Sequence, residues 1–237
     1  MFIDELQAAA SQSNINLNDE QLKQFERFYS LVIDWNQKIN LTAITDPGDF
    51  AVKHIIDSIS IWNDDKFADI KTIIDVGTGA GFPGIPLKIY RPNIKVTLLD
   101  SLAKRINFLK AAVEELGLEE VSFIHSRAED AAHNLELREN FDLAVSRAVA
   151  KLNILAEYCM PFVKLGGYFA ALKGSNFNEE LQDATNAVKI LGGKDVECIG
   201  MKLPNDNERN LIYIKKASKT ADKYPRKAGI PERKPLN

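Results

Sequence analysis

The stretch from Thr72 to Gly84 reads TIIDVGTGAGFPG. The first five residues form a short, mostly apolar run that is rich in β-branched types, which is typical of a buried strand. A loop with four glycines follows, and glycine lets the backbone turn tightly and approach a ligand closely. Pro83 suits the first turn of a helix, where its missing N–H is not needed. A strand, a glycine loop and a helix in this order predict an open α/β sheet with a ligand at the end of its first strand.

The alternation of strand and helix continues to residue 191. Predicted strands cover Thr72–Val76, Lys95–Leu99, Val121–His125, Phe141–Val145 and Gly167–Leu172. Predicted helices cover Pro83–Tyr90, Leu102–Leu116, Ala128–Leu137, Leu152–Tyr158 and Glu179–Leu191. This repeat predicts a parallel sheet with helices on both faces.

The end of the pattern is different. Two further strands are predicted at Val196–Met201 and Asn210–Lys216, and the turn Leu203–Asn207 between them leaves no room for a crossover helix. They must therefore be antiparallel neighbours. We predict an α/β fold of the class I methyltransferase type: Rossmann-like, with a mostly parallel seven-stranded sheet and an antiparallel last strand. A nicotinamide-binding domain would finish its sixth strand in parallel.

Before the sheet, the chain reads as helical. Asn18 and Gln21 have the spacing of a reciprocal helix cap, and apolar residues then recur every three or four positions. A second helix is predicted over Asp49–Trp62, after a turn that contains Pro47 and Gly48. We therefore predict a helical extension packed on the core over residues 1–66. The S-adenosylmethionine-binding methyltransferase domain would follow over 67–217, and a basic tail over 218–237.

Bulk properties set the broad class. The chain has 237 residues, 45% of them hydrophobic, and a net charge of −3. Two separate cysteines, Cys159 and Cys198, make a disulfide framework or a structural zinc site unfavourable, and the three histidines share no metal spacing. We see no secretory signal and no apolar run long enough to span a membrane. We expect a cytoplasmic protein without a metal or a membrane partner, and a monomer by default.

The charge is unevenly distributed. From Lys215 to Asn237 there are eight basic residues and two acidic ones, although the chain as a whole is acidic. Such a segment is suited to a polyanion partner. The alternative is an ordinary solvated and frayed terminus.

The glycine loop has two interpretations. Gly79, Gly81 and Gly84 form a GxGxxG pattern, which is typical of dinucleotide sites. The first glycine after the strand is Gly77, but the GxGxxG match begins two residues later, at Gly79. Pro83 also lacks the backbone N–H that a pyrophosphate would use. The Asp-x-Gly-x-Gly pattern that starts at Asp75 instead favours S-adenosylmethionine, whose methionine ammonium needs an acceptor and whose carboxylate needs donors.

Acidic residues at two strand ends are further cofactor candidates. Asp75 would orient the loop and help to hold the ammonium, or it would simply cap a turn. Asp100, at the end of the second strand, would accept hydrogen bonds from the ribose hydroxyls, or it would cap the next helix.

Two later loops offer candidates on each side of the cofactor. Ala128 and Glu129 would read the adenine edge, although an acid in the first turn of a helix is also favoured by the helix dipole. Arg147, after the fourth strand, would bind the cofactor carboxylate or a substrate phosphate, or it would form a surface ion pair.

Missing motifs narrow the substrate. The loop after the fourth strand lacks the Asn/Asp-Pro-Pro-Tyr/Phe tetrad of amine methylases, and neither cysteine lies where a thiolate would attack a base. A Lys-Asp-Lys-Glu tetrad of the 2′-O type is also not seen. An acceptor that is already nucleophilic fits best, and guanine N7 needs only alignment with the methyl group. We therefore expect no general base among the catalytic residues.

Several motifs resemble one family. They are DVGTGAGFPGIPL at Asp75–Leu87, LLDSLAKRINFL at Leu98–Leu109, SRAED at Ser126–Asp130, SRAVA at Ser146–Ala150 and ALKG at Ala171–Gly174, with WNQKINLTAIT at Trp35–Thr45 and YPRKAGIPERKPL at Tyr224–Leu236. These runs are similar to the bacterial small-subunit ribosomal RNA guanine-N7 methyltransferases, first named glucose-inhibited division protein B. They cover nearly the whole chain.

The resemblance implies methylation of N7 of a guanine in small-subunit ribosomal RNA, free or in a ribosomal subunit. It implies cofactor contacts from Gly77, Phe82, Ala128, Glu129 and Arg147, and we add Asp75, Gly79 and Asp100 from the loop pattern. The body is acidic, so RNA contacts are expected from the following basic residues: Lys88, Arg147, Lys173, Arg226, Lys227, Arg233 and Lys234. Open alternatives are a methyltransferase for another RNA or small substrate, an NAD-binding oxidoreductase, and a non-catalytic RNA-binding factor.

Overall fold

One sheet organises the chain in the computed structural model, which describes residues 1–62, 64–147, 150–174 and 178–236. Its strands are β1 Thr72–Val76, β2 Lys95–Asp100, β3 Val121–His125, β4 Phe141–Ser146, β5 Val163–Lys173, β6 Gly193–Lys202 and β7 Glu208–Lys216. Their order is β3-β2-β1-β4-β5-β7-β6. Neighbours among the first five strands pair in parallel, whereas β7 is antiparallel to both β5 and β6. The predicted mostly parallel sheet with an antiparallel last strand is confirmed.

Helices cover the sheet and precede it. They are α1 Phe2–Gln12, α2 Asp19–Asn36, α3 Pro47–Phe50, α4 Asp57–Ile59, α5 Asp64–Phe67, α6 Gly84–Tyr90, α7 Ala103–Glu115, α8 Ala128–Ala131, α9 Leu152–Cys159, α10 Asn178–Ile190 and α11 Ile230–Arg233. The predicted cap of α2 is present, because Asn18 Oδ1 accepts from the Gln21 N–H and Gln21 Oε1 accepts from the Asn18 N–H.

Two helix predictions are wrong in detail. The helix predicted over Ala128–Leu137 ends at Ala131, because the Asn134 side chain accepts from the Glu136 N–H and forms a turn in its place. The helix predicted over Asp49–Trp62 is three pieces, since a π-helix at Ala51–Ile56 lies between α3 and α4. That wide turn carries Lys53 and His54, which both line a cavity described below.

The N-terminal helices share their core with one face of the sheet. Phe28 of α2 lies 5.4 Å from Phe82 between ring centroids, and Trp35 lies 5.6 Å from Phe108 of α7. Helices α8, α9 and α10 pack in a second hydrophobic cluster on the opposite face. The boundary predicted at residue 66 stays a prediction, but hydrophobic side chains on both sides of it pack in one cluster.

The C-terminal segment packs on the body. The Arg138 guanidinium donates to the carbonyls of Thr220, Ala221 and Tyr224. Arg226 forms a two-pronged ion pair with Glu157 of α9, at 2.9 Å and 2.6 Å. The structure therefore does not show the frayed terminus that was the alternative prediction for this segment. Among the helices of the described ranges, none has both the length and the apolar character that a membrane crossing requires.

Candidate active site

A cleft of about 250 Å³ opens at the carboxyl ends of the first four strands. Its lining comprises Val76, Gly77, Leu99, Ser101, Ser126, Arg127, Ala128, Glu129, Ser146, Ala150, Leu155, Tyr158 and Glu232. We call it the cofactor cleft. From β1 the chain first adds β2 and β3 on one side and then crosses to β4 on the other side. The cleft lies at this change of direction, which is the usual ligand position in open α/β sheets.

The glycine loop begins at the cofactor cleft, where Gly77 is the loop residue that lines it. Gly77 and Gly79 have φ values of +74° and +61°, and a Cβ built on either residue would meet no atom within 4 Å. The positive φ values favour glycine, because a side chain is strained there. The empty space beside them keeps the backbone open to a ligand.

Asp75 lies behind the loop and organises it. Its carboxylate is fully buried, and Oδ2 accepts from the Thr78 hydroxyl at 2.6 Å and from the Gly84 N–H at 2.8 Å. Burial raises the pKa of Asp75 to about 7. Oδ1 has no hydrogen-bond partner among the described residues, and the carboxylate is not part of the cleft lining. The structure thus shows the loop-orienting role and does not bring Asp75 to the position expected of an ammonium contact.

Asp100 links the second strand to the same loop. Its carboxylate accepts from the Leu102 N–H at 2.8 Å, from the Gly79 N–H at 3.0 Å and from Arg105 Nη1 at 3.3 Å. The Leu102 bond closes a local turn and does not cap α7, because Leu102 is itself the N-cap of that helix and no side chain caps it. A carboxylate has about four acceptor positions, so capacity remains for a further donor. The ribose contact stays a prediction.

Ala128 and Glu129 line the cleft, and their predicted contact with adenine stays a prediction. Beside them is a wall that the sequence did not predict. Glu129 is only 5% exposed, and its Oε1 accepts from the Gly229 N–H at 3.1 Å. Tyr158 of α9 and Glu232 of α11 also line the cleft, and the tyrosine hydroxyl donates to that carboxylate at 3.4 Å. The motif at Tyr224–Leu236 was the available signal that the C-terminal segment belongs to the site.

Phe82 and Arg147 point away from the cofactor cleft. Phe82 is 6% exposed and stacks on His54 at 4.3 Å, while the Arg147 guanidinium lies 4.8 Å from the Phe82 ring centroid. Arg147 also donates to His54 Nδ1 at 3.0 Å and to Asp57 at 3.2 Å. Because both side chains pack against the N-terminal helical segment, the structure does not place them as cleft-lining cofactor contacts.

A second cavity of about 260 Å³ adjoins the cofactor cleft. Its lining comprises Ile44, Lys53, His54, Asp57, Arg147, Leu172, Lys173, Gly174 and Arg209, and we call it the basic cavity. The two are neighbours along the chain, because Ser146 lines the cleft and the next residue, Arg147, lines the basic cavity. Sequence reasoning missed Asp57 and Arg209, which carry no motif of their own.

The residues expected to contact RNA separate into two groups. Lys227, Arg233 and Lys234 are exposed on the C-terminal segment. Lys173 lines the basic cavity, where its ammonium donates to the Ala150 carbonyl at 2.6 Å and pairs with Glu180 at 2.8 Å.

Two of the expected RNA contacts are engaged within the protein. Lys88 is 4% exposed, and its ammonium donates to the carbonyls of Pro92 and Ile94 after α6, away from the cleft, so it is not placed to meet a polyanion. Arg226 pairs with the fully buried Glu157, but its side chain is 24% exposed. Its contact with RNA stays a prediction.

Solved structures share this fold. An O-methyltransferase from Bacillus cereus in complex with SAH superposes with a TM-score of 0.60 at 13% identity, covering 91% of this chain and 100% of that chain. The class I methyltransferase architecture predicted from the strand pattern is confirmed.

Sequence relatives extend over the whole chain. Proteins named "Ribosomal RNA small subunit methyltransferase G" from Alkaliphilus metalliredigens and Lactococcus lactis are 48% and 47% identical to it. The first match covers 98% of this chain and 97% of the relative, and the second covers all of both. The profile of the family described as rRNA small subunit methyltransferase G matches residues 21–212. The chain therefore belongs to the rRNA small subunit methyltransferase G family.

Proposed function

We propose that this protein transfers the methyl group of S-adenosylmethionine to N7 of a guanine in small-subunit ribosomal RNA. One observation carries the proposal: a chain of this family has an open cleft between Gly77 of the glycine loop and Ser146 at the end of β4. In an open α/β sheet this is where a nucleoside cofactor is held.

The residues present fit the cofactor. The open backbone at Gly77 and Gly79 supports approach of the methionine part, and Asp100 has acceptor capacity for the ribose. Ala128 and Glu129 line the cleft and would contact the adenine. When bound, S-adenosylmethionine supplies a methyl group activated by a sulfonium. The chain's own residues would bind the nucleoside, with Tyr158 and Glu232 of the C-terminal segment forming one wall of the cleft.

Guanine N7 suits a site that works by alignment. Its lone pair attacks without losing a proton, so the protein need only orient the acceptor in line with the methyl group. His54 and Asp57 hold Arg147 in the basic cavity, which adjoins the cleft. We assign it to the acceptor side, where its positive charge attracts RNA.

The test is methyl transfer in vitro. The purified chain is incubated with methyl-labelled S-adenosylmethionine and either small-subunit or large-subunit RNA, and nucleosides are identified by mass spectrometry. We expect 7-methylguanosine from the small-subunit RNA alone. Label on another atom, or equal labelling of both RNAs, would contradict the proposal.

Calorimetry distinguishes S-adenosylmethionine from NAD, the cofactor of the competing hypothesis. We expect binding of S-adenosylmethionine and no binding of NAD. NAD binding with no binding of S-adenosylmethionine would instead support the oxidoreductase alternative. Mapping of the modified nucleotide in RNA from a deletion strain then identifies the guanine.

The RNA substrate also bears on where the protein works. We infer the cytoplasm as its compartment, since ribosomal subunits are assembled there in bacteria, from which the relatives come. A monomer stays a prediction.

A further inference from the structure

The basic cavity holds two arginines around one carboxylate. Asp57 is 2% exposed, and its two oxygens accept from different guanidinium groups. Arg147 Nη1 lies 3.2 Å from Oδ2, and Arg209 Nε lies 2.8 Å from Oδ1. Asp57 is therefore the acidic residue in the lining of the cavity, and it serves two guanidinium groups, while Asp75 attracts Arg147 from outside the cavity.

This arrangement leaves a surplus positive charge in a poorly solvated place. His54 does not add to it, because burial and the neighbouring Arg147 lower the pKa of its ring to about 3. The positive charge of Arg209 also lowers the pKa of Arg147, in addition to the larger effect of burial. Two cations that repel each other across one carboxylate are stabilised by a further anion.

Two lysines at the rim are already paired. Lys173 pairs with Glu180 at 2.8 Å, and Lys53 pairs with Asp49 at 2.8 Å. The Lys53 pair is weak, because its side chains are 28% and 46% exposed and solvent screens such pairs. Lys53 can therefore turn towards an anion in the cavity at little cost.

The position of the cavity indicates which anion it receives. It lies at the carboxyl ends of β4 and β5 and at the start of β7, next to the cofactor cleft on the side opposite the adenine residues. Lys173 connects the two sites, since its ammonium binds the carbonyl of Ala150 and Ala150 lines the cleft. An acceptor strand that reaches the methyl group from this side passes its backbone over the basic cavity.

We propose that the basic cavity binds a backbone phosphate of the RNA strand next to the nucleotide that is methylated, through Arg209, Arg147 and Lys53. The proposal rests on the function proposed above. Guanidinium groups suit phosphate oxygens, because they present parallel N–H donors at fixed geometry. Arg209 offers such donors, since its Nη2 has no hydrogen-bond partner among the described residues.

The test uses full-length protein and a labelled single-stranded RNA from the small subunit, with binding measured by fluorescence anisotropy at several salt concentrations. We expect Arg209→Gln to weaken RNA binding about tenfold and to lower the salt slope by about 0.7, the value for one single-strand phosphate contact. Lys53→Gln should act in the same direction. Affinity for S-adenosylmethionine, measured by calorimetry, should stay as in the wild type.

Two variants serve as controls. Lys194→Gln removes one positive charge from the start of β6, which pairs with Lys215 at the end of β7 and so lies at the other end of this strand pair from Arg209. Its side chain is 57% exposed, and the variant should bind RNA as the wild type does. Arg209→Lys keeps the charge and should recover part of the RNA affinity. If Arg209→Gln lowers the melting temperature strongly, the RNA affinities of Lys53→Gln and Arg209→Lys are used to test the proposal instead.

Three outcomes would overturn the phosphate site. They are RNA binding by the variants that equals the wild type, a parallel loss of S-adenosylmethionine affinity, and Arg209-dependent binding of inorganic phosphate with RNA binding unchanged. Failure of the proposed function looks different: the wild type would not methylate small-subunit RNA, yet RNA binding would still depend on Arg209. That result would leave the phosphate site standing.

Discussion

The carboxylate of Glu129, at the start of α8, accepts a hydrogen bond from the backbone N–H of Gly229 at 3.1 Å. A residue expected at the adenine edge is thus held by the C-terminal segment. The same segment places Glu232 in the cleft. The cleft is therefore built from the β/α core and from the C-terminal segment, and its geometry depends on the docking of residues 224–236.

Undocking that segment should weaken cofactor binding. Arg226→Gln leaves the fully buried Glu157 without its guanidinium partner, and we expect a loss of about 3 kcal/mol in the free energy of unfolding. Affinity for S-adenosylmethionine should fall as well, because Gly229 and Glu232 lose their anchor. Denaturant titration and calorimetry measure the two effects.

The neighbouring Lys227→Gln variant is the matched control, since Lys227 is exposed and the same charge is removed. It should leave both quantities unchanged. A destabilised Arg226→Gln protein that still binds the cofactor as tightly as the wild type would show that the segment has no part in the site.

The glycine loop should not tolerate a methyl group at Gly84. A Cβ there would lie 2.5 Å from Leu98 Cδ2 and 2.8 Å from Asp75 Oδ2, so the loop must move. We expect Gly84→Ala to cost roughly 1–3 kcal/mol of stability and to reduce S-adenosylmethionine binding. Gly200→Ala, whose Cβ would meet only one atom, at 3.8 Å, should be nearly neutral. Equal behaviour of the two variants would contradict this account of the loop.

His54 should make stability fall in mild acid. Burial, and then the charge of Arg147, lower the pKa of the folded ring to about 3 from its ordinary 6.5. Between these values the unfolded chain binds a proton that the folded protein does not, so stability declines as the pH falls through this window, by up to about 1.4 kcal/mol per pH unit. Urea titrations of the wild type and His54→Gln at pH 7.5, 6 and 5 measure it. Parallel pH profiles would rule the effect out.

Asp75 should act with the opposite sign. Burial raises the pKa of the folded carboxyl to about 7 from 3.8. Between these values the folded protein keeps a proton that the unfolded chain has released, so this contribution to stability falls as the pH rises from about 4 to about 7. Asp75→Asn has no such proton, and we expect its stability relative to the wild type to be higher at pH 7.5 than at pH 4.5. A difference that does not vary with pH would refute the buried, protonated carboxyl.

Local sequence patterns predicted most of the strands and helices correctly. The strand at Val121–His125 and the cap at Asn18 are as expected, because apolar periodicity and capping act over a few residues. The helix after Ala128 was predicted too long, because a turn at Asn134 competes with it. The family resemblance stated from the motifs is confirmed by the profile match and the relatives.

By itself, the sequence determined the β/α order, the antiparallel ending, the glycine loop and the family, since each depends on neighbouring residues or on runs of motif. Only the tertiary structure decided which way the functional side chains face. Arg147 meets Asp57 across 90 positions and Arg226 meets Glu157 across 69, and no local pattern records such partners. These partners meet because a charged side chain that is removed from water must be paired with an opposite charge. This pairing holds Arg147 in the basic cavity and docks the C-terminal segment, so that Glu232 lines the cleft.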